Sequence, residues 1–137
     1  MNLFNLLMDE LNESSKITGK TLLMNIIDLK LEECALTLII NNYTNYNKID
    51  NFGYNALFRS ITSNMEELSL ELINKKDIYY NFTDPFGYTI LMNSILSKMK
   101  KVTLELLKKE DINYNSVNTD TETALILSCK KIYNKYI

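Results

Sequence analysis

The sequence contains no histidine and no tryptophan, and its 137 residues include only one proline, three glycines and two cysteines. Without histidine, the commonest general base is missing, and so are most zinc sites and the usual activation of a serine or cysteine nucleophile. Cys34 and Cys129 are too few and too far apart for a structural zinc cluster, and both lie in apolar helical patterns. We therefore expect no catalytic residue, no metal site and no cofactor. We expect both cysteines to be small buried hydrophobes in a reducing compartment.

A strong charge of one sign and a long apolar run are also missing. The 15 basic and 17 acidic side chains give a net charge of −2, and neither half is basic enough to attract a phosphate backbone. The apolar runs, such as residues 34–40, fall far short of the roughly 20 residues that span a bilayer. The N-terminus lacks the positive region of a secretory signal and turns acidic at Asp9 and Glu10. We expect an intracellular, cytoplasmic protein that binds neither nucleic acid nor membrane.

The chain does contain an internal repeat of 34 residues. The segment Gly19-Lys20-Thr21-Leu22-Leu23 aligns without gaps with Gly53-Tyr54-Asn55-Ala56-Leu57, Gly87-Tyr88-Thr89-Ile90-Leu91 and Thr121-Glu122-Thr123-Ala124-Leu125. The same register aligns Leu36 with Leu70 and Leu104, Tyr46 with Tyr80 and Tyr114, and Asn47 with Asn81 and Asn115. Self-similarity at one fixed period predicts a repeat architecture.

Each unit has the pattern helix, turn, helix, loop. The first helix should begin at a capping residue, which is Thr21, Asn55, Thr89 or Thr123. The second helix of the second unit should cover 66–75, where apolar residues recur at helical spacing. The Tyr46/Tyr80/Tyr114 and Asn47/Asn81/Asn115 columns are identical in each unit, which favours a role in bracing the loops.

The prediction for the whole chain is an all-α single domain in which helix pairs stack. Residues 1–14 form an N-terminal capping helix, and 15–48, 49–82 and 83–116 are full repeats. Residues 117–137 are a partial repeat that stops after its first helix, with Ile132, Tyr133 and Tyr136 as closing contacts. No pair can bury its apolar face alone, so stacking on neighbours must supply the core.

The residues of the third unit resemble the ankyrin repeat. Asp84-Pro85-Phe86-Gly87-Tyr88-Thr89-Ile90-Leu91 is similar to the ankyrin signature, and Leu104-Glu105-Leu106-Leu107 followed by Asp111-Ile112-Asn113 is similar to its second helix and the next segment. The resemblance covers about residues 15–131 and implies an ankyrin-like helical solenoid. The composition and loops are also similar to divergent ankyrin proteins of large DNA viruses with A/T-rich genomes.

The repeats depart from the ankyrin pattern at several columns. The proline before the first-helix leucine is replaced by Leu22, Ala56, Ile90 and Ala124, and the histidine is replaced by Met24, Phe58, Met92 and Ile126. The glycine in the middle of the unit is absent, and the period exceeds the usual 33 by one residue. The tetratricopeptide repeat has the same period, but it needs aromatic and glycine positions in its first helix that this chain lacks. Other helix-pair solenoids stay open as alternatives.

The resemblance implies a partner protein bound by the loop tips and the first helices. The residues predicted to bind it are Lys20, Met24, Asn51, Phe52, Tyr54, Phe58, Arg59, Phe86, Tyr88, Met92, Asn93 and Glu122. Among these, Tyr54 and Tyr88 are expected to be exposed, whereas Phe52 and Phe86 either project from the loops or pack on each other.

The predicted function is therefore a non-catalytic interaction module or adaptor. The alternative is a decoy or inhibitor that blocks a host enzyme with the same surface. A monomer or a weak homo-oligomer is expected, because an incomplete fourth unit leaves apolar helix surface exposed.

Overall fold

The structure, a computed structural model, describes residues 15–42 and 44–136 and is all-α. Residues 15–18 are helical, and seven further helices follow. They are α1 (Leu22–Asp28), α2 (Glu32–Ile40), α3 (Ala56–Thr62), α4 (Glu66–Ile73), α5 (Ile90–Leu96), α6 (Lys100–Leu107) and α7 (Ala124–Tyr136). Within these ranges the β-structure is limited to one isolated antiparallel bridge between Thr83 and Thr89. The predicted capping helix at 1–14 lies outside the described residues.

The helices pack in the order of the chain. Within each pair, α1 contacts α2, α3 contacts α4, and α5 contacts α6. Between pairs, the first helices α1, α3, α5 and α7 form one row, and the second helices α2, α4 and α6 form another. Among the described helices, contacts join only neighbouring pairs, so the core runs along the stack and has no single centre.

Equivalent columns supply this core in each unit. Leu23, Leu57 and Leu91 at the start of the first helices are almost completely buried, as are Leu68, Leu72 and Ile73 of α4. The predicted 34-residue register therefore places matching apolar side chains at matching depths. Helix α4 ends at Ile73, two residues before the predicted Lys75.

All four predicted capping residues accept a hydrogen bond from the first turn of their helix. Thr21 accepts from the Met24 N–H at 3.2 Å, and Asn55 from the Phe58 N–H at 2.8 Å. Thr89 accepts from Met92 at 3.1 Å and Thr123 from Ile126 at 3.3 Å. Each cap satisfies a helix N–H that would otherwise lack a partner, so the start of every first helix is fixed by local sequence.

The turn between the paired helices uses a left-handed residue without glycine. Lys30, Asn64 and Lys98 hold this position, with φ of 60°, 59° and 57°. The fourth unit has Ile132 there, and a β-branched side chain strongly disfavours positive φ. The turn is absent accordingly, and α7 continues as one helix of 13 residues, against seven in α1, α3 and α5.

Two predictions about burial are wrong: that both cysteines are buried, and that residues 132, 133 and 136 cover the end of the stack. Cys34 and Cys129 are both exposed, although the equivalent Leu68 and Ile61 are fully buried. The predicted closing contacts are exposed as well, at Ile132, Tyr133 and Tyr136, so they do not cover the apolar surface of the last unit. Leu68 and Ile61 lie where described pairs pack on both sides of their own pair, and the pattern within one unit carries no information on its position in the stack.

Each loop before a first helix contains a second left-handed residue, which is glycine in three units. Gly53 has φ of 87°, and a Cβ added there would lie 2.8 Å from Cδ of Pro85 in the next loop. In the fourth unit the same place is occupied by Thr121, with φ of 62°. A β-branched residue in this conformation costs on the order of 1–3 kcal/mol.

We therefore predict that Thr121→Gly raises the free energy of unfolding by about 1 kcal/mol, because glycine adopts positive φ without strain. Gly53→Ala, at the equivalent position, should lower it, since alanine meets both the φ constraint and Pro85. Urea unfolding of the two variants and the parent measures the changes. Two shifts of the same sign would contradict this account of the loops.

Candidate functional site

The loops that precede the first helices share one hydrogen-bonded shape. Oδ1 of Asp50 accepts from the N–H of Phe52 at 2.9 Å and of Tyr54 at 3.1 Å. In the next loop, Oδ1 of Asp84 accepts from Phe86 at 2.9 Å and from Tyr88 at 2.8 Å. An aspartate that bonds to the backbone two and four residues on fixes a tight turn. The residue two places after each aspartate is thereby held at the tip.

The last loop keeps this shape with a different side chain. Asn118 replaces the aspartate, and its Oδ1 accepts from the N–H groups of Asp120 and Glu122, both at 2.9 Å. Its Nδ2 donates to the Glu122 carboxylate at 3.0 Å. The three loops 49–55, 83–89 and 117–123 therefore project in the same way from successive units.

Backbone bonds also tie neighbouring loops together. Asn51 donates its backbone N–H to the carbonyl of Thr18 and its side-chain Nδ2 to that of Ile17, both at 2.9 Å. Thr119 donates to the carbonyl of Phe86 at 3.0 Å. Pro85 stands at the equivalent place between these two and has no N–H to donate. The loops therefore lie side by side along one edge, with backbone bonds at the Asn51 and Thr119 junctions and with Pro85 packed on Gly53 at the junction between them.

Large apolar side chains are exposed along this edge, and the two at the loop tips are phenylalanine rings, beside Ile17, Ile49 and Val117 elsewhere on it. Phe52 is 53% exposed and Phe86 is 58% exposed. Nζ of Lys20 lies 6.0 Å from the centroid of the Phe52 ring, which leaves most of that ring open to solvent. Of the two alternatives for this pair, the rings project from the loops.

The prediction that Tyr54 and Tyr88 are exposed is wrong, because both are partly buried and pack against the core. The ring of Tyr54 lies 4.9 Å from that of Phe58, and the Arg59 guanidinium lies over the Tyr54 ring, 5.6 Å from its centroid. Each of these tyrosines directly follows a glycine with positive φ, and the chain turns there. The tyrosine side chains therefore point toward the first helices and away from the tip.

Four other predicted binding residues are buried and cannot reach a partner: Met24, Phe58, Met92 and Glu122. The Phe58 ring packs on Phe82, with centroids 5.9 Å apart. The methionine–phenylalanine column faces the core, although its residues follow the tips closely in sequence. Glu122 is bonded to Lys130 as well as to Asn118, and these bonds lower the pKa of its carboxyl, with Lys130 the larger cause.

The guanidinium of Arg59 is occupied within the protein. It bonds to Asp28 of the preceding unit at 2.9 Å and also to Asp50, whose side chain is completely buried. Lys20 bonds to the same Asp28 at 2.7 Å. This cluster links the first two units, so Arg59 stabilises the stack where a contact with a partner was predicted.

The remaining predicted residues have mixed roles. Asn93 is half-buried and donates to the Thr89 carbonyl at 3.1 Å, which anchors it to its own helix. Asn51, Phe52 and Phe86 stay exposed at the tips. The structure therefore brings together a smaller surface than the one predicted, centred on the two rings.

Sequence reasoning missed Asp28, and a second residue, Pro85, also shapes this surface. Asp28 joins Lys20 to Arg59, and Pro85 is exposed at the tip beside Phe86 while its ring packs on Gly53. The charges of Lys20, Asp28 and Arg59 are evident in the sequence, but these residues are 8 and 31 positions apart, and only the packing of units brings them together.

A shallow groove of about 530 Å³ also opens beside Pro85 and is lined by Tyr79 and Phe82 among others.

The prediction that the tyrosine column braces the loops is confirmed for two of its members, Tyr46 and Tyr80. The hydroxyl of Tyr46 donates to Asp77 and that of Tyr80 to Asp111, each in the following unit. The adjacent asparagines support these contacts, since Asn81 Nδ2 donates to the Asp111 carbonyl at 2.6 Å. Hydrogen bonding to Asp111, then burial and the aspartate charge, raises the pKa of Tyr80 to about 12.

No protein-family model matches the chain, and no curated protein matches it. Among the residues that the structure describes, there is no group of three or more potential metal ligands. No helix in the described ranges is both long and apolar enough to cross a membrane.

The Tyr80–Asp111 bond predicts a measurable ionisation. Because the folded state favours the protonated phenol, the bond stabilises fully below pH 10 and is lost as the pH rises toward 12. At pH 11, NMR of the tyrosine Cζ should show Tyr80 mostly protonated in the parent and more ionised in Asp111→Asn. Identical titration of Tyr80 in both proteins would contradict the assigned cause.

Proposed function

We propose that this chain is a divergent ankyrin-type repeat protein that binds another protein through its loop tips and performs no catalysis. The observation that carries the proposal is the repeated exposed phenylalanine. Phe52 and Phe86 occupy the same position in successive loops, are more than half exposed, and are held there by equivalent aspartate turns. These two rings differ from the other exposed apolar side chains of the protein because equivalent turns hold them in register in successive units.

The assignment to the ankyrin type is supported by the geometry of the unit. A short first helix is capped by Thr or Asn, a second helix packs beside it, and a hydrogen-bonded loop projects before the next unit. The stacking of α1, α3 and α5 in one row and of α2, α4 and α6 in another suits a solenoid of this kind. The divergent viral type, and a host protein as partner, are part of the same proposal.

The proposed contact gains affinity from rigidity as well as area. Each of the two loops that carry the rings is bonded internally and to one neighbouring loop, so binding orders little additional backbone. Full burial of each ring is worth on the order of 1.5–3 kcal/mol. A polar rim usually surrounds a buried aromatic anchor in an interface. Beside the two rings, this rim consists of the polar Asn51 and Thr119 and the flat Pro85.

Cytoplasmic location and an adaptor role belong to this proposal as well. A decoy that inhibits a host enzyme would use the same loop tips. An activity assay on the captured partner separates the two roles.

The test is a double substitution at the tips. Phe52→Ser with Phe86→Ser should weaken capture of the partner that the parent chain retains by about a hundredfold or more, since two buried anchors are lost. The thermal midpoint of unfolding should change little, because both rings are largely exposed. Titration of the purified, identified partner by calorimetry measures the affinity.

Ile40→Ser is the matched control. Ile40 is also an exposed apolar residue, at 62%, but it lies at the end of α2 and away from the loop tips. Its substitution should leave the affinity unchanged. If the double variant binds the partner as tightly as the parent does, the loop tips are not the binding surface.

A further inference from the structure

The second helices repeat one contact along the stack, and the last of them lacks it. Ile39 of α2 is fully covered once α4 packs on that helix, and Ile73 of α4 is fully covered in the same way by α6. The equivalent residue of α6 is Leu107, which is 50% exposed. Its neighbour Leu104 is exposed too, and a groove of about 630 Å³ runs between them and Leu70.

Polar contacts accompany each covered helix. Nζ of Lys75, just after α4, donates to the Ile39 carbonyl at 2.9 Å, and Nζ of Lys109, just after α6, donates to the Ile73 carbonyl at 3.0 Å. The aspartate two residues further on then receives the tyrosine hydroxyl of the preceding unit, as Asp111 does from Tyr80. A helix that packs here is thus recognised by its apolar face, a lysine and an aspartate.

Asparagine side chains complete this recognition by pairing with the backbone around the aspartate. Asn47 donates to the Asp77 carbonyl at 2.7 Å and accepts from the Tyr79 N–H at 2.8 Å. Asn81 repeats both bonds at Asp111 and Asn113, at 2.6 and 2.9 Å. Two consecutive junctions therefore use one set of donors and acceptors.

The third tyrosine and asparagine of these columns, Tyr114 and Asn115, lie at the C-terminal end, where no described helix uses them for such a contact. Tyr114 is exposed and, within the described residues, its hydroxyl has no hydrogen-bond partner. The Asn115 N–H bonds to Asn113 Oδ1 at 3.2 Å, as the Asn47 N–H bonds to Asn45 Oδ1 at 3.2 Å, so the local turn is the same. We name Leu104, Leu107, Tyr114 and Asn115 the C-terminal end surface.

The fourth unit does not supply the missing helix at the equivalent place. There α7 runs on through the position where each earlier unit turns, because Ile132 replaces the left-handed lysine or asparagine. A second copy of the chain does not present the required group at its first unit either, since the residue equivalent to Asp77 and Asp111 is Tyr43. In the second and third units those aspartates are already engaged.

We propose that the C-terminal end surface binds, from another protein, an amphipathic helix that is followed by a lysine and an aspartate. The two internal examples define the sequence of this helix. It begins with Leu or Val, and after three further residues comes Leu followed directly by Ile or Leu. After one more residue comes Lys, and after another comes Asp followed by Ile. Lys101, Lys108 and Glu105 border the groove, and Lys108 bonds to Glu105, so the apolar face and the lysine and aspartate that follow it define the ligand more than charge does. This surface lies apart from the loop tips, and its occupation does not depend on the function proposed for them.

A synthetic peptide that copies residues 65–80 of this chain is the probe. We expect it to bind the full chain with one-to-one stoichiometry and a Kd of about 100 μM, because a short peptide must become helical on binding. Leu107→Glu should abolish binding, and circular dichroism should show that this exposed substitution leaves the fold intact. Tyr136→Phe, at an exposed tyrosine of α7 outside the C-terminal end surface, should have no effect.

A double-mutant cycle tests the predicted hydrogen bond directly. Tyr114→Phe in the chain and Asp→Asn at the peptide position that copies Asp77 should each weaken binding by about tenfold. Combining them should weaken it little further, because both changes remove one bond. Additive losses, or no saturation by the parent peptide at about 1 mM, would overturn the proposal. Dimerisation of the chain that Leu107→Glu abolishes would assign the surface to a second copy and overturn it as well.

Discussion

Burial between successive helix pairs is the interaction on which the rest of this structure depends. A pair such as α3 and α4 has apolar side chains on more than one side, and its two short helices cannot cover them alone. Leu57 and Ile73 become inaccessible only because another pair lies against them. Helices of seven or eight residues are marginal in isolation, so neighbouring pairs also stabilise each other's secondary structure.

The same constraint positions the loops. Because each unit is displaced by one helix spacing, equivalent loops come to lie side by side and can exchange backbone hydrogen bonds. Aspartate turns at Asp50 and Asp84 then determine which residue stands at each tip. The exposed Phe52 and Phe86 are consequences of a rigid core that repeats, with a local turn added to each unit. At the C-terminal end, α6 keeps the apolar column of α2 and α4, and Leu107 is exposed there because no further described second helix packs on it.

The period made the helices, their capping residues and the loop bracing predictable. Thr89 and Asn55 are local signals, because a cap needs only the first turn of its own helix. The binding surface was less predictable, because residues one or two places apart in a loop point in opposite directions. Phe52 projects while Tyr54 packs inward, and no periodicity distinguishes them. Likewise, the burial of Leu68 but not of Cys34 depends on a neighbour that the pattern of one unit does not specify.

Native-state amide hydrogen exchange tests nearest-neighbour burial most directly. If each pair is stabilised by the pairs on both sides, the slowest amides should lie in the central helices α3, α4 and α5. Those of α1, α2 and the far end of α7 should exchange through partial opening at lower free energy. Equal protection of all helices, or the strongest protection in α7, would contradict the account.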